Sequence, residues 1–182
     1  MKSYQTPRGT QDLLPAQTAA WNKVEDLIRQ MCHVYGYSEI RTPVFEDTGV
    51  FKRENDSADM VNKEMYTFSI NNEDSLTLRP EGTAGVVRSF VEHKMFGAPD
   101  LPAKLYYMGE MFRYERPQAG RLRQFHQFGV EVFGAKGADV CTLGAGHTQG
   151  GSFPGKVQKL QSVNGYGTGL PFYLFAFAGQ VV

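Results

Sequence analysis

Four arginines and one glutamate crowd a single short stretch, Phe112-Arg113-Tyr114-Glu115-Arg116-Pro117-Gln118-Ala119-Gly120-Arg121-Leu122-Arg123-Gln124-Phe125. Arginine suits phosphate because its planar fork delivers two parallel charge-assisted hydrogen bonds. Pro117 and Gly120 mark the tip of a hairpin. On a strand, residues i and i+2 point the same way, so Arg113 and Glu115 are expected on one face. The tip arginines are placed to close over a polyphosphate, and the Phe125 ring offers a surface on which a base can stack. The residues therefore suit a nucleotide-binding hairpin, and a solvated basic hairpin laced with salt bridges accounts for the same spacing equally well.

A second stretch, Thr77-Leu78-Arg79-Pro80-Glu81-Gly82-Thr83-Ala84, runs from a strand into the start of a helix. Glu81 falls where the helix N-terminus favours an anion, and it is able to bind a substrate ammonium. Taken alone, the segment reads first as an ordinary helix cap.

The elements that must hold these groups follow from pattern. Pro15 suits the first position of a helix. Trp21, Val24, Leu27, Ile28 and Met31 then recur at helical spacing, and Gly36 is placed to cap the helix in the left-handed conformation. Ser38 to Phe45 alternates as a strand until Pro43, which implies an edge or a bulge. Lys52 to Met60 is polar and reads as a loop. Met65–Phe68 and Leu76–Arg79 read as short strands joined by a turn at Asn71–Asp74. Gly82 to Met95 reads as a second helix. Lys104–Arg113 and Arg123–Phe133 read as longer strands. The implied fold class is α+β: an antiparallel sheet flanked by helices.

Bulk properties narrow the classes. The chain has 182 residues, 41% hydrophobic and 21% charged, which is globular composition sufficient for one domain and one core. Formal net charge is zero, so any contact with nucleic acid has to come from a local patch. Cys32 and Cys141 fit neither a metal-ligand spacing nor a disulfide framework. The N-terminus lacks an apolar signal core and no apolar run reaches membrane-spanning length, so a cytoplasmic protein is the default expectation. Composition then changes abruptly. Residues 141–182 carry no acidic residue and no arginine, only Lys156 and Lys159, yet they hold nine of the 20 glycines. The chain divides accordingly into residues 1–139 and an aberrant tail, 140–182.

The hairpin resembles motif 2 of the class II aminoacyl-tRNA synthetases: an arginine two residues before a glutamate, a loop, then arginine and phenylalanine four apart. The longer string ERPQAGRLRQFHQFGVEVFG is similar to the histidyl-tRNA synthetase version. PRGTQDLLP near the start, GYSEIRTPVFE as motif 1 and TLRPEGTAGVVR as the histidine-binding segment agree with it, so the likeness covers roughly residues 5 to 139. Motif 1 falls at about 36–46 and motif 2 at about 104–134.

The resemblance implies roles. Arg113 would bridge the α-phosphate of ATP and the histidine carboxylate. Glu115 and Arg121 would hold adenine and the outer phosphates, and Phe125 would stack on adenine. Glu81 and Thr83 would bind the α-amino group of histidine. Gln127 and Glu131 share a face with Phe125 by strand parity and would contact the amino acid, Glu131 near the imidazole. The implied reaction is attack of the histidine carboxylate on the α-phosphate, giving histidyl-adenylate and pyrophosphate, then transfer to tRNA(His). ATP as substrate, Mg²⁺, and a homodimer formed through motif 1 are implied with it; no structural metal site and no membrane are expected.

Two departures stand out. Arg53-Glu54-Asn55-Asp56-Ser57-Ala58-Asp59 lacks the family's glycine and is one residue short. Beyond Val140, the family's later helix, its histidine-specific arginine segment, motif 3 and the anticodon-binding domain are missing. The tail reads either as translation in a shifted frame, which its composition favours, or as a divergent extension. It shows no strand alternation long enough to rebuild a sheet. The expectation for these 182 residues is a truncated, inactive fragment. The alternative reading is the regulatory subunit of ATP phosphoribosyltransferase, a non-catalytic relative with the same fold, which does not need the intact run Arg116–Phe125.

Overall fold

The computed structural model describes residues 3–52, 64–70, 74–117 and 121–134 in full, and the backbone alone of two further strands, Lys156–Leu160 and Leu174–Val181. The departure at Arg53–Asp59, most of the loop read at Lys52–Met60, most of the Asn71–Asp74 turn, residues 118–120 of the hairpin tip and the rest of the tail lie outside the described residues.

Helix α1, Pro15–Val34, starts where proline costs nothing, since the first turn has no carbonyl for its missing N–H. Gln17 reaches back to the Leu14 N–H at 3.1 Å and closes the first turn. The helix ends at Gly36, whose φ of +73° is left-handed, as its position in the sequence suggested.

The segment read as one strand at Ser38–Phe45 is instead split. Strand β1, Ser38–Glu39, and strand β2, Phe45–Asp47, fall in different sheets. Pro43 lies in the break; it has no N–H to give a ladder, so the chain changes sheets there. Strands β3, Thr67–Ser69, and β4, Ser75–Leu78, complete a three-stranded sheet in the order β2-β4-β3. Helix α2 is Thr83–Glu92, shorter than the pattern suggested, and a 3-10 turn at Met95–Gly97 follows it.

The main sheet is built on β5, Ala103–Phe112, and β6, Gln124–Phe133, which pair antiparallel in unbroken register from Ala103↔Phe133 to Phe112↔Gln124. β1 joins β5 in parallel. Strands β7, Lys156–Leu160, and β8, Leu174–Val181, extend the sheet on the other side, giving the order β1-β5-β6-β8-β7. This corrects the expectation that the tail lacks strand pattern long enough to rebuild a sheet: β8 pairs with β6 from His126↔Val181 to Val132↔Phe175. The pairing fits the apolar run at Pro171–Ala178 and satisfies the outer edge of β6.

Parity on β6 divides the core in two. Phe125 and Phe133 point toward α2, where they pack with Val86, Val87, Phe90, Leu105, Tyr107 and Met111. Val130 and Val132 point the other way, onto Cys32, Tyr37 and Tyr106 beneath α1. The fold is α+β, a sheet with one helix on each face.

Only part of α1 is used in this packing. Cys32 is buried, Ile28 packs beside it, and Trp21 lies 4.7 Å from the His126 ring. Val24, Leu27 and Met31, read as part of the same face, are exposed, Leu27 by 65%.

Candidate functional site

The arginine hairpin and the α2 entry segment, read separately in the sequence, converge on the α2 face of β5–β6. β4 ends at Leu78 and the chain crosses the end of β5, where the Phe112 N–H donates to the Arg79 carbonyl at 2.9 Å. Arg113 follows directly, and its Nε donates to the Pro80 carbonyl at 3.0 Å. The guanidinium carbon lies 5.0 Å from the centre of the Phe125 ring. Arg113 and Glu115 sit just past the end of β5 rather than on regular strand. Pairing continues one rung further through the Arg113 N–H to the Arg123 carbonyl at 2.9 Å. Glu115 stands between two cations: its Oε1 is 3.9 Å from Nη1 of Arg113, and its Oε2 is 3.6 Å from Nη1 of Arg121. Both separations are loose, and Arg121 is 64% exposed along its side chain, so its guanidinium is free to re-pair with an incoming anion at small cost. Phe125 is 6% exposed: one edge belongs to the core and Arg113 covers a face.

The other expected residues lie deeper along β6. Gln127, Gly129 and Glu131 follow Phe125 on the same face, as parity requires. The Gln127 side-chain oxygen accepts from the Gly82 N–H at 3.1 Å. Glu81 accepts from the Ala84 N–H at 3.0 Å, which places its carboxylate at the positive end of α2. The Thr83 hydroxyl donates to Oε1 of Glu131 at 2.7 Å. Glu131 is fully buried, and its Oε2 has no partner among the described residues. Burial raises the Glu131 carboxyl well above its ordinary value; the Thr83 bond pulls it down and the charge of Glu81 pushes it up. The group is therefore held uncharged where an ordinary glutamate is ionised, with one oxygen turned to no group among the described residues. That is a polar site able to give or take a proton from a ligand nitrogen.

Sequence reasoning missed the residue that sets the floor of this site. Tyr107, on β5, is directly opposite Gly129 on β6. Its hydroxyl lies 3.4 Å from Thr83 Oγ1. A Cβ on Gly129 would meet the Tyr107 ring at 2.4 Å, and one on Gly82 would meet it at 2.2 Å. The ring is slotted between two bare backbones, so both glycines are needed. Burial above all raises the Tyr107 phenol, which stays protonated. A lone glycine in a strand pattern opposite an aromatic was the available signal. The N-terminal PRGTQD segment, quoted in the resemblance but given no role, also reaches the hairpin. The Gly9 carbonyl accepts from the Arg123 N–H at 2.7 Å and from the Gln124 N–H at 3.2 Å.

Among the described residues, no three His, Cys, Asp or Glu side chains converge as a metal site, and no helix is long and apolar enough to cross a membrane.

The sequence profile of the histidyl-tRNA synthetase family matches residues 9–142. The chain is 63% identical over 134 residues to the histidine–tRNA ligase of Lysinibacillus sphaericus (strain C3-41), covering 73% of this chain and 32% of that protein. Identity to the histidine–tRNA ligase of Anoxybacillus flavithermus is also 63% over 134 residues, with the same coverage of both chains. Among solved structures, apo S. aureus histidyl-tRNA synthetase superposes with a TM-score of 0.63 at 48% identity, covering 76% of this chain and 31% of that one. The chain thus spans about a third of the length of the curated relatives it matches.

Proposed function

Since this chain belongs to the histidyl-tRNA synthetase family, we propose that it is the part of a histidine–tRNA ligase that binds histidine and one side of ATP, for formation of histidyl-adenylate and transfer to tRNA(His). The observation that carries the reading is the continuity of the site. A cationic end, Arg113 and Arg121 about Glu115, runs along one strand face into a buried polar end, Gln127, Thr83 and Glu131.

In this reading the histidine α-ammonium takes a place beside Glu81 and Thr83, and the imidazole reaches Gln127 and Glu131. The uncharged Glu131 carboxyl meets an imidazole nitrogen as donor or acceptor without a second buried charge. The histidine carboxylate then points along β6 toward Arg113, as does the α-phosphate. Arg113 neutralises both anions and the charge that builds on phosphorus as the carboxylate attacks and pyrophosphate leaves. Glu115 and Arg121 take adenine and the outer phosphates. Arg113 keeps its bond to the Pro80 carbonyl, and adenine would stack on Phe125 beside the guanidinium that covers one face of the ring. The arginines fit a triphosphate, while the described carboxylates do not form a cage for a divalent ion, so Mg²⁺ would ride on the phosphates of ATP and offset their charge.

A homodimer through the motif 1 region belongs to the same proposal, and a cytoplasmic setting goes with it. Val24, Leu27 and Met31 form an uncovered apolar stripe on α1. Beside it a groove of about 310 Å³ runs past β1 and β5, lined by Glu25, Arg29, Glu39 and Arg41 among others. A stripe with mixed charges at its border suits a second copy of the chain.

The test is histidine-dependent ATP–pyrophosphate exchange. Joined to the remaining two-thirds of a relative's length, residues 1–139 should support exchange, and Arg113→Ala should lower it by about 10²–10³-fold, the range for loss of a transition-state charge donor. Exchange near the wild-type rate in that variant sinks the assignment. The 182 residues alone should give none, because residues 141–182 contain no arginine to close the second side of an ATP site; exchange by the chain alone would show that the tail completes it.

A further inference from the structure

We propose that Arg79 is a positioning residue: it fixes the Pro80–Glu81 segment against the end of β5 and so sets the orientation of the Arg113 guanidinium. The functional meaning of that orientation rests on the reading of Arg113 given above, while the orientation itself does not.

Proline has no N–H, so Pro80 cannot be tied into a ladder through its own nitrogen. Its neighbour supplies the ties. The Arg79 N–H donates to the Val44 carbonyl at 2.9 Å, and the Arg79 carbonyl accepts from the Phe112 N–H at 2.9 Å. The side chain adds two more: Nε donates to the Glu110 carbonyl at 2.8 Å and Nη1 to the Thr42 carbonyl at 2.9 Å. One residue thus joins the β1–β2 connection, the exit of β4 and the last residues of β5. The Arg113 Nε bond to the Pro80 carbonyl is the next rung. The main-chain bond from Phe112 to Arg79 and the side-chain bond from Arg113 to Pro80 run side by side between the same two segments.

The Arg79 guanidinium has no carboxylate partner among the described salt bridges. Burial lowers its pKa, and the charges of Glu110 and Glu46 only partly offset that. A half-buried cation that serves carbonyl oxygens alone is an expensive way to gain stability, because the desolvation of the charge is not returned by an ion pair. What it gives is direction: a planar fork spanning two carbonyls fixes both. Gly109 makes room for it, since a Cβ there would lie 2.8 Å from Arg79 Nη2.

The experiment reads the Arg113 Nε–H resonance in the ¹⁵N-labelled 182-residue chain. In the wild type that proton is held on the Pro80 carbonyl and shifted by the Phe125 ring current. Arg79→Met keeps the stem and removes the donors. The Arg113 resonance should then move toward the position of a solvated arginine, and its exchange with water should speed up by roughly tenfold, the scale of one lost hydrogen bond. The methyl signals of Val130 and Val132, on the opposite face of the sheet, should stay in place. Arg79→Lys should fall between the two, because one ammonium cannot span both carbonyls. Gly109→Ala, with Arg79 intact, should change Arg113 in the same direction as Arg79→Met. If Arg79→Met disturbs the valine methyls as well, the lysine and alanine variants decide in its place. An Arg113 resonance unchanged while the methyls are unchanged overturns the proposal. Titration with L-histidine runs alongside: absence of binding by the wild type counts against the functional reading and leaves the Arg113 measurement to judge Arg79 separately.

Discussion

Glu131, proposed above to meet the histidine imidazole, also bears on the stability of this protein. Its carboxyl is fully buried, accepts from Thr83, and has its pKa raised chiefly by burial. Below the ordinary carboxylate value both the folded and the unfolded chain hold the proton, and the group makes no pH-dependent contribution. Above it the unfolded chain releases the proton while the folded chain keeps it. The unfolded state then binds fewer protons, so stability falls as pH rises, until the folded carboxyl itself ionises. Urea denaturation followed as pH rises above the ordinary carboxylate value of 4.5 should show this decline. Glu131→Gln, which keeps the acceptor for Thr83 and cannot ionise, should flatten it and gain on the wild type as pH rises. Parallel pH profiles for the two proteins would mean that Glu131 titrates like an exposed glutamate.

At the scale of elements, the spacing between β5, β6 and the entry to α2 depends on the Tyr107 ring lying against two glycines. Adding a methyl at Gly129 places it inside the van der Waals radius of a ring that is itself packed in the core. Gly129→Ala should destabilise the chain by about 1–3 kcal/mol through overpacking. The α2 N-terminus would move away from β6, and the Gly82–Gln127 and Thr83–Glu131 bonds would lengthen. Gly36→Ala is the control. No atom lies within 4 Å of its would-be Cβ, and the cost there is only the left-handed backbone, about 1 kcal/mol. Denaturation midpoints should separate the two variants, and only Gly129→Ala should alter the near-ultraviolet signal of the tyrosines. Equal effects would mean that the Tyr107 slot is not tight.

For the molecule as a whole, the exposed face of α1 is where the proposed dimer would form. One stripe of the helix, through Ile28 and Cys32, is spent on the sheet. The adjacent stripe, Val24, Leu27 and Met31, remains exposed next to the charged groove beside β1 and β5. Under the proposed dimer, the double substitution Leu27→Glu with Met31→Lys should shift sedimentation from dimer to monomer and reduce binding of an apolar dye. Helicity should stay the same, because both replacements are good helix formers. A wild-type chain that is monomeric at high concentration and binds no dye would remove the interface from the proposal.

What the sequence determined alone was chiefly local and periodic. The two-residue period of β6 placed Phe125, Gln127 and Glu131 on one face, and its long register with β5 was legible as two runs bracketing a proline and a glycine. Pro15 and Gly36 marked the ends of α1, because each has a backbone preference that few positions accept. The motif strings carried the family, since their order and spacing are set by the site they build. Tertiary structure decided everything that depends on which face meets which. It chose the Ile28–Cys32 stripe of α1 over the Leu27–Met31 stripe, a choice that hydrophobic spacing left open because both stripes are apolar. It split Ser38–Phe45 between two sheets, and it paired Leu174–Val181 with β6, where the apolar run at Pro171–Ala178 showed no alternation to name a partner strand. Arg79 and Tyr107 stood among the motif residues without a role for the same reason. Their work is done on carbonyls and glycines from distant segments, and a backbone atom leaves no trace in a sequence until the chain has folded around it.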